Sequence, residues 1–279
     1  MKMARNYSLG GAQFGNGYGK LLNIPELTSL ELNLLLEYAM NNGIQQVDLA
    51  QNYKAAVSNL SKSDYFSKFR YTTKIQYDQD AEHQILHNLR LELRMLGTNS
   101  FDAVMIHNWA TLSVVDRIAA VQFVKSLKHE GICLNAGVSV YDVWELEFED
   151  WIPDTIQAPF NFYNRDFPAN DIALNLKALG TKFVARSIFH QGLLLNPHFK
   201  DKFPELEDFI NFCKVNDFSY VQGALSVYDS QDLFQAIVIG VAGISQLEEI
   251  LATRISTSND LVLPKSRRYS SNFTDPRKW

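Results

Sequence analysis

Short apolar runs alternate with longer amphipathic stretches along most of the chain. The first amphipathic stretch opens at residues 28–31, Thr-Ser-Leu-Glu, where threonine and glutamate have the spacing of a helix capping box. Apolar residues then recur at helical spacing until Gly43, a residue type that commonly ends helices. A strand-length apolar run, 44–49, follows. The pattern predicts a helix and then a strand, and the apolar helix face comprises Leu32, Leu35, Leu36 and Ala39.

The same helix-then-strand unit recurs. A second apolar stripe ends at Gly97 and a third ends at Gly131, and another apolar run follows each glycine. The second stripe comprises Ile85, Leu86, Leu89, Leu93 and Leu96, and the third comprises Val114, Ile118, Val121, Phe123 and Leu127. Further helices are predicted over 143–151, 171–179, 206–216, 220–227 and 245–251. The predicted strands cover 8–15, 44–49, 69–74, 101–106, 132–140, 155–160, 182–188 and 236–240.

This order of elements favours one architecture. Strands that alternate with helices form parallel sheets, and eight such units in a chain slightly above ~250 residues fit a (β/α)8 TIM barrel. We expect a single barrel domain over residues 1–255. A doubly wound open sheet is the alternative, although residues 15–19 have the wrong glycine spacing for the G-x-G-x-x-G signature of its dinucleotide-binding form.

The last residues, 256–279, differ from the rest of the chain. They are polar, and their five Lys and Arg outnumber their two Asp. Two interpretations stay open for this segment. It is a loosely packed terminus, or it is a basic tail folded over the barrel mouth, where substrates of such barrels bind.

Composition excludes several classes of function. A net charge of −5 argues against broad binding of nucleic acid, which requires a basic face. No apolar stretch reaches the ~18 residues of a membrane span, and the first residues lack the apolar core of a signal peptide. The two cysteines, Cys133 and Cys213, form no C-x-x-C pair. We therefore expect free, buried thiols in a reducing cytoplasm, with no membrane or nucleic-acid partner.

Polar residues follow three consecutive apolar runs. Asp48 ends the second predicted strand, Lys74 ends the third, and His107 follows the fourth. Tyr53 lies in the loop that follows Asp48. In a (β/α)8 barrel the active site lies at the carboxyl ends of the strands, and adjacent strands are under ~5 Å apart. We therefore expect these four side chains to converge.

The four side chains form a set that can protonate an oxygen atom. A phenol with a pKa near ~10 is a poor acid at neutral pH, but the ammonium of Lys74 would stabilise the phenolate of Tyr53 and lower that pKa. The carboxylate of Asp48 would keep the lysine charged and in place, and the imidazole of His107 would orient the substrate oxygen. Another group must supply the electrons.

Each of these residues alone has an ordinary structural interpretation. Asp48 could cap a helix, Lys74 could be solvated, and a lone histidine is usually structural. Four such residues at consecutive strand ends favour catalysis, but their spacing does not name the reaction.

Motifs along the chain resemble the aldo-keto reductase family. Residues 47–53, Val-Asp-Leu-Ala-Gln-Asn-Tyr, match the family segment that carries its aspartate and tyrosine. Thr73-Lys74 matches its lysine and Ile106-His107 its histidine. The resemblance extends over residues 9–241, and it is closest to the short bacterial members. It implies a barrel that binds a nicotinamide cofactor, usually NADPH, and that delivers hydride to a carbonyl carbon while Tyr53 protonates the oxygen.

The resemblance also implies a set of cofactor-binding residues. Ser139, after Gly137-Val138, and Gln157, in the sixth-strand segment, would contact the nicotinamide amide. Residues 185–192 match the seventh-strand segment on the phosphate side. The segment after the eighth strand, which begins at residue 238, would contact the rest of the nucleotide. The remaining residues that the resemblance assigns to the cofactor are Arg186, Ser187, Gly240, Gln246 and Glu249.

The chain departs from the family pattern at three places. Lys54, Ala55 and Ala56 follow Tyr53, where glycine is usual. Gln246 stands where an arginine for the 2′-phosphate is common, so the choice between NADPH and NADH stays open. The tail cations Lys265, Arg267 and Arg268 are the alternative source of charge. No substrate-class pattern is recognisable, and the aromatic candidates for a cleft wall, each equally explained by packing, are Tyr18, Trp109 and Phe162.

Three functions remain in competition. The favoured one is a cytoplasmic reductase that acts on a small carbonyl compound. The second is a nucleotide-binding sensor or partner subunit with little turnover, which the altered loop after Tyr53 would suit. The third is a barrel isomerase or lyase without a nucleotide cofactor. The sequence gives no indication of the oligomeric state.

Overall fold

The computed structural model describes residues 5–15, 25–53, 55–253, 263–264 and 269–275. Within these ranges eight parallel strands close into a barrel in chain order, and the last strand pairs with the first. This confirms the predicted (β/α)8 barrel and rules out the open sheet. The strands are β1 (Tyr7–Gly10), β2 (Gln46–Asp48), β3 (Arg70–Ile75), β4 (Phe101–Ile106), β5 (Cys133–Ser139), β6 (Thr155–Pro159), β7 (Lys182–Arg186) and β8 (Phe234–Ile239).

Helices connect most successive strands, as crossover connections of parallel strands require. The α-helices are α1 (Ser29–Asn41), α2 (Ala56–Leu60), α3 (Glu82–Met95), α4 (Val114–His129), α5 (Asp171–Ala178), α6 (Leu206–Val215), α7 (Tyr220–Asp229), α8 (Ile244–Ala252) and α9 (Ser271–Thr274). Short 3-10 segments cover Gly11–Phe14, Phe66–Lys68, Gln79–Ala81, Trp109–Thr111, Val143–Leu146, Phe167–Ala169, His190–Leu195 and Pro197–Asp201. None of the helices in the described ranges is long and apolar enough to cross a membrane.

Helix α1 forms as the sequence predicts. The Thr28 side chain accepts a hydrogen bond from the Glu31 backbone N–H, and the Glu31 carboxylate accepts one from the Thr28 N–H. These two bonds pair backbone donors that have no partner within the helix. The predicted apolar face is buried, because Leu32, Leu35, Leu36 and Ala39 all pack into the core.

The predicted apolar face of α4 is wrong at two positions, Val114 and Ile118. Val114 is 61% exposed and Ile118 47% exposed. The buried face consists of Ala120, Phe123, Val124 and Leu127. Ile118 is nine residues from Leu127, which at 3.6 residues a turn places the two on opposite sides of the helix. Apolar character at these two positions therefore does not mark the core face.

The predicted helix over 143–151 is also wrong. Only a 3-10 segment forms there, from Val143 to Leu146, and Asp150 adopts a positive φ of 47°. The apolar side chains after this segment serve tertiary packing. Phe148 and Trp151 pack against the Trp109 ring, with centroids 5.4 and 6.2 Å away. Their spacing is therefore set by contacts with another loop and not by a helix face.

The first strand ends earlier than the sequence predicts. β1 stops at Gly10, and Gly11–Phe14 forms a 3-10 segment. A Cβ atom added at Gly11 would lie 2.5 Å from Leu49 Cδ2 and 3.0 Å from the Asp48 carbonyl oxygen. Glycine therefore lets this segment pass directly beside the end of β2, where Asp48 lies.

Gly137 in β5 gives a stability prediction, because a Cβ atom there would overlap the carbonyl oxygen of Thr155 in β6. Neighbouring strand backbone cannot move aside easily, so Gly137→Ala should lower the free energy of unfolding by about 1–3 kcal/mol. Urea unfolding measures the change. Gly240→Ala is the control, since the nearest atom to its new Cβ would be 3.6 Å away. Equal stability of the two variants would contradict the prediction.

Candidate active site

A cavity of about 1220 Å³ opens at the carboxyl ends of the strands. The four predicted catalytic side chains all line it: Asp48, Tyr53, Lys74 and His107. Strand register explains this convergence, because β2, β3 and β4 are consecutive neighbours in the barrel. Among the described residues, no group of three or more His, Cys, Asp or Glu side chains is placed to hold a metal ion.

Lys74 and Asp48 form a buried ion pair at the base of the cavity. The lysine Nζ donates to Asp48 Oδ2 at 2.6 Å and to the Leu49 carbonyl oxygen at 2.9 Å. Lys74 is 2% exposed and Asp48 4% exposed. Burial lowers the pKa of Lys74, while the Asp48 carboxylate opposes that decrease by favouring the charged ammonium. The carboxylate therefore holds the ammonium in one position inside the protein.

Gln157 completes the hydrogen bonding of this pair. Its Nε2 donates to Asp48 Oδ1 at 2.8 Å, so both carboxylate oxygens have donors. The two residues are 109 positions apart in the chain, on β2 and β6. The resemblance assigned Gln157 to the cofactor amide alone, and its contact with Asp48 is additional.

Tyr53 lies beside the lysine of the pair. The Lys74 Nζ is 5.6 Å from the centroid of the tyrosine ring. The tyrosine backbone N–H donates to the Ala50 carbonyl oxygen at 2.9 Å, which closes the turn after β2. Ala55 then adopts a positive φ of 63° before α2 begins. Lys54, the residue that follows Tyr53 where glycine is usual in the family, lies outside the described residues.

His107 is placed by the end of β4. Its backbone N–H donates to the Ile75 carbonyl oxygen at 2.8 Å, which extends the ladder between β3 and β4. Its Nδ1 lies 3.4 Å from Nε2 of Gln76. Because an amide N–H can only donate, this contact favours the tautomer that carries its proton on Nε2. The sequence analysis did not select Gln76. It lies two residues after Lys74, and side chains two positions apart in an extended segment point to the same side.

Two buried polar atoms on β5 and β6 are without hydrogen-bond partners among the described residues. They are Ser139 Oγ and Gln157 Oε1. The two residues pair in register on β5 and β6. A buried polar atom without a partner costs about 1–3 kcal/mol. A primary carboxamide satisfies both atoms, since it can accept from a serine hydroxyl and donate to a glutamine oxygen.

Arg186 lies at the end of β7, beside the end of β5. Its Nη2 donates to the Val140 carbonyl oxygen at 3.0 Å, and its Nη1 lies 3.4 Å from Ser187 Oγ. The guanidinium carbon is 4.2 Å from the centroid of the Tyr141 ring, the geometry of a cation–π contact. Tyr141 also lines the cavity. The sequence analysis did not select it, although it follows the end of a strand, as the predicted catalytic residues do.

The loop after β7 contains several positive φ angles at residues other than glycine. Ser187, His190 and Gln191 have φ of 58°, 48° and 56°. His190 is 1% exposed, and its Nε2 donates to the Phe273 carbonyl oxygen at 3.1 Å. The described C-terminal residues therefore pack against this loop. Ser187 and Gln191 line the cavity, so this contact holds part of the cavity wall.

Burial of His190 makes a pH-dependent prediction, because burial lowers its pKa to about 4 from the usual 6.5. The unfolded chain binds the proton more tightly than the folded protein, so this residue removes stability as pH falls from 6.5 to 4. His190→Asn keeps a donor and tolerates the positive φ. Between those pH values, wild-type protein should lose about 3 kcal/mol more unfolding free energy than the variant. Urea titrations at several pH values measure the unfolding free energy of both proteins. The same pH dependence in wild type and variant would contradict the prediction.

The segment after β8 contributes four residues to the cavity wall, Gly240, Gln246, Glu249 and Ile250. The Gln246 side-chain oxygen accepts from the Ala242 backbone N–H at 2.7 Å, so it fixes the turn before α8. Lys214, at the end of α6, is a cation of the same cavity wall that the sequence analysis missed. The three tail cations and Tyr18 lie outside the described residues.

Two aromatic candidates for the cleft wall belong to the core instead. Trp109 is 2% exposed and donates through Nε1 to the Glu145 carbonyl oxygen at 3.0 Å. Phe162 is fully buried against Phe209 and Phe212, with ring centroids 5.2 Å away in each case. Packing accounts for both residues.

Comparisons with known proteins agree with the barrel fold. A sequence model described as the Aldo/keto reductase family matches residues 7–259. An aldo-keto reductase from Bacillus halodurans, in its holo form, superposes with a TM-score of 0.71 at 15% identity, covering 98% of this chain and 95% of that one. A glycerol dehydrogenase from Gluconobacter oxydans gives a TM-score of 0.69 at 16% identity, covering 92% and 88%. No match was found among curated protein sequences.

Proposed function

Because the chain belongs to the aldo/keto reductase family, we propose that it reduces a carbonyl group of a small molecule with NAD(P)H. The substrate is an aldehyde, a ketone or a sugar-type carbonyl compound. The observation that carries the proposal is the buried Lys74–Asp48 pair beside Tyr53. A fully buried ammonium is costly, and a role next to a phenol in a cavity explains its presence.

Tyr53 is the proton donor in this proposal. A bound NAD(P)H supplies the hydride for the carbonyl carbon. The Tyr53 O–H bond breaks as its proton passes to the carbonyl oxygen, and the phenolate that remains is stabilised by the Lys74 ammonium. His107, with its proton on Nε2, donates a hydrogen bond that orients the same oxygen. Asp48 and Gln157 keep the lysine charged and in place.

Ser139 and Gln157 are the residues that would hold the nicotinamide. Their unpartnered atoms match a carboxamide, and the nicotinamide ring carries one. Elsewhere in the cavity lining, the Gln246 side chain already binds backbone, and Glu249 and Lys214 are charged. We propose NADPH as the cofactor, with Lys214 as the described candidate partner for its 2′-phosphate. NADH is the alternative.

Ser139→Ala should separate cofactor binding from stability. The Ser139 hydroxyl has no partner in the described protein, so its removal should leave the free energy of unfolding unchanged or slightly raised. Nucleotide affinity should fall roughly fivefold, the effect of one lost neutral hydrogen bond. Ser226→Ala is the matched control, because the Ser226 hydroxyl donates to the Gly223 carbonyl oxygen at 2.8 Å in the core. That variant should lose stability and keep its nucleotide affinity; the same result for Ser139→Ala would exclude a cofactor role.

A fluorescence titration of the purified protein with NADPH and, separately, NADH tests the cofactor. Tight binding of NADPH supports the proposal, and a loss of that preference in Lys214→Gln would identify the cation. Preference for NADH keeps the reductase and changes its cofactor. Binding of neither nucleotide at millimolar concentration would contradict the proposal and favour a barrel enzyme without a nucleotide.

We further propose that the enzyme works in the reducing cytoplasm. Cys133 and Cys213 are both free and buried. Burial raises the pKa of the Cys133 thiol to about 11 and that of Cys213 to about 12. Neither thiol is therefore a reactive nucleophile at neutral pH.

A further inference from the structure

Arg186 is a partly buried cation that forms no ion pair with a described carboxylate. The ion pairs between described residues join other partners. The polar contacts of its guanidinium are the neutral Val140 carbonyl and Ser187 hydroxyl, and its face lies on the Tyr141 ring. Arginine keeps its charge at any ordinary pH. The end of β7 therefore adds one positive charge to the cavity.

This charge lies next to the two atoms that match a carboxamide. The Val140 carbonyl, 3.0 Å from Arg186 Nη2, belongs to the residue after Ser139. The Val140 backbone N–H donates to the Gln157 carbonyl oxygen at 2.9 Å. The guanidinium is therefore held against the backbone that also positions Ser139 and Gln157, and a ring whose carboxamide bound these two residues would lie close to it.

The two charged catalytic residues of the cavity form an ion pair with each other. The Lys74 ammonium and the Asp48 carboxylate pair at 2.6 Å. The positive charge of Arg186 reaches this pair, since it contributes to lowering the pKa of Lys74. Lys214 and Glu249 line the cavity from helices α6 and α8, and they are opposite in sign. Among the described residues at the strand ends of the cavity, Arg186 therefore adds one positive charge beside an ion pair that is neutral as a whole.

Reduced and oxidised nicotinamide respond differently to this charge. The two forms differ by one hydride, that is, two electrons and one proton. Loss of the hydride turns a neutral dihydropyridine ring into a pyridinium ring with one positive charge. A fixed cation nearby leaves the neutral ring unaffected and repels the pyridinium.

We propose that Arg186 makes this site select the reduced nicotinamide nucleotide over the oxidised one. The inference rests on the proposed function, because it needs a nicotinamide ring at Ser139 and Gln157. It deepens that function by giving Arg186 a role in specificity: reduced cofactor is retained from a mixed pool, and oxidised cofactor is released. One charge at contact distance in a partly solvated site is worth a factor of about ten or more in relative affinity.

Titration of each protein with the reduced and the oxidised form of its preferred nucleotide tests the proposal. The measured quantity is the ratio of the two dissociation constants, oxidised over reduced. Arg186→Gln removes the charge and keeps hydrogen-bonding capacity, while Arg186→Lys keeps the charge. Arg117→Gln is the matched control. Arg117 also donates to one carbonyl oxygen, that of Trp109 at 3.3 Å, and its guanidinium carbon lies 4.9 Å from the centroid of the Trp109 ring. Unlike Arg186, it does not line the cavity.

Wild-type protein should bind the reduced form about tenfold more tightly or better. The ratio should fall towards one in Arg186→Gln, stay high in Arg186→Lys, and stay at the wild-type value in Arg117→Gln. Equal affinity of wild-type protein for both forms would overturn the proposal without any variant. The proposal would also be overturned if Arg186→Gln kept the wild-type ratio of the two dissociation constants. Failure to bind either form would instead reject the proposed function, and this inference with it.

Discussion

Tyr53→Phe should lower carbonyl reduction at least about 100-fold, the low end for a lost general acid. The substitution removes one oxygen atom and keeps the ring beside Lys74, 5.6 Å from its ammonium. The packing of the cavity wall should therefore survive. No other residue of the proposed mechanism gives its proton to the substrate oxygen, because Lys74 stabilises the phenolate and His107 orients the carbonyl.

The measurement is turnover with a panel of aldehydes at saturating nucleotide, together with the dissociation constant of the nucleotide. Affinity should change by less than about twofold, since a general acid acts in the transition state. Tyr38→Phe, on helix α1 and outside the cavity, is the control for the chemical change. Activity of Tyr53→Phe within tenfold of wild type would reject Tyr53 as the proton donor.

Lys74→Met should abolish turnover and also destabilise the protein. The variant leaves the Asp48 carboxylate buried without its charged partner, and breaking a buried pair from one side costs about 3–5 kcal/mol of unfolding free energy. The phenol of Tyr53 would also lose the ammonium that stabilises its phenolate, so its pKa should return towards ~10. Because only the protonated phenol can donate, any residual reduction should therefore be lost at higher pH than in wild type.

A double variant separates the two effects of this substitution. Lys74→Met with Asp48→Leu removes both charges, and apolar replacement of a whole buried pair is often neutral for stability. Urea unfolding should show that the double variant recovers much of the stability that Lys74→Met loses. Its turnover should stay as low as that of the single variant. Recovery of activity together with stability would mean that the pair serves only the fold.

The positions of Asp48, Lys74 and His107 could be predicted because each follows an apolar run of strand length. Parallel strands bring their carboxyl ends to one edge, so sequence order alone places the three side chains together. The capping box and the buried face of α1 could also be predicted from the sequence, because both depend on residues within a few positions of each other. Local patterns therefore predicted the barrel and the centre of the site.

Contacts across the barrel could not be read from the sequence. The bond from Gln157 to Asp48 joins residues 109 positions apart. The placement of Arg186 beside Val140 likewise depends on how three strands close together. The exposed Val114 and the aromatic packing of Trp151 show the same limit, because apolar character does not reveal which neighbour a side chain meets.

The most direct test of the account follows a deuterium label from the cofactor. The protein would be incubated with NADPH or NADH deuterated at the transferable C4 position and with a panel of aldehydes, ketones and sugars. Mass spectrometry of the products should find one deuterium on the alcohol carbon with wild-type protein, and none above background with Tyr53→Phe. Nucleotide binding without deuterium in any product would contradict a reductase and favour a nucleotide-binding sensor or partner subunit.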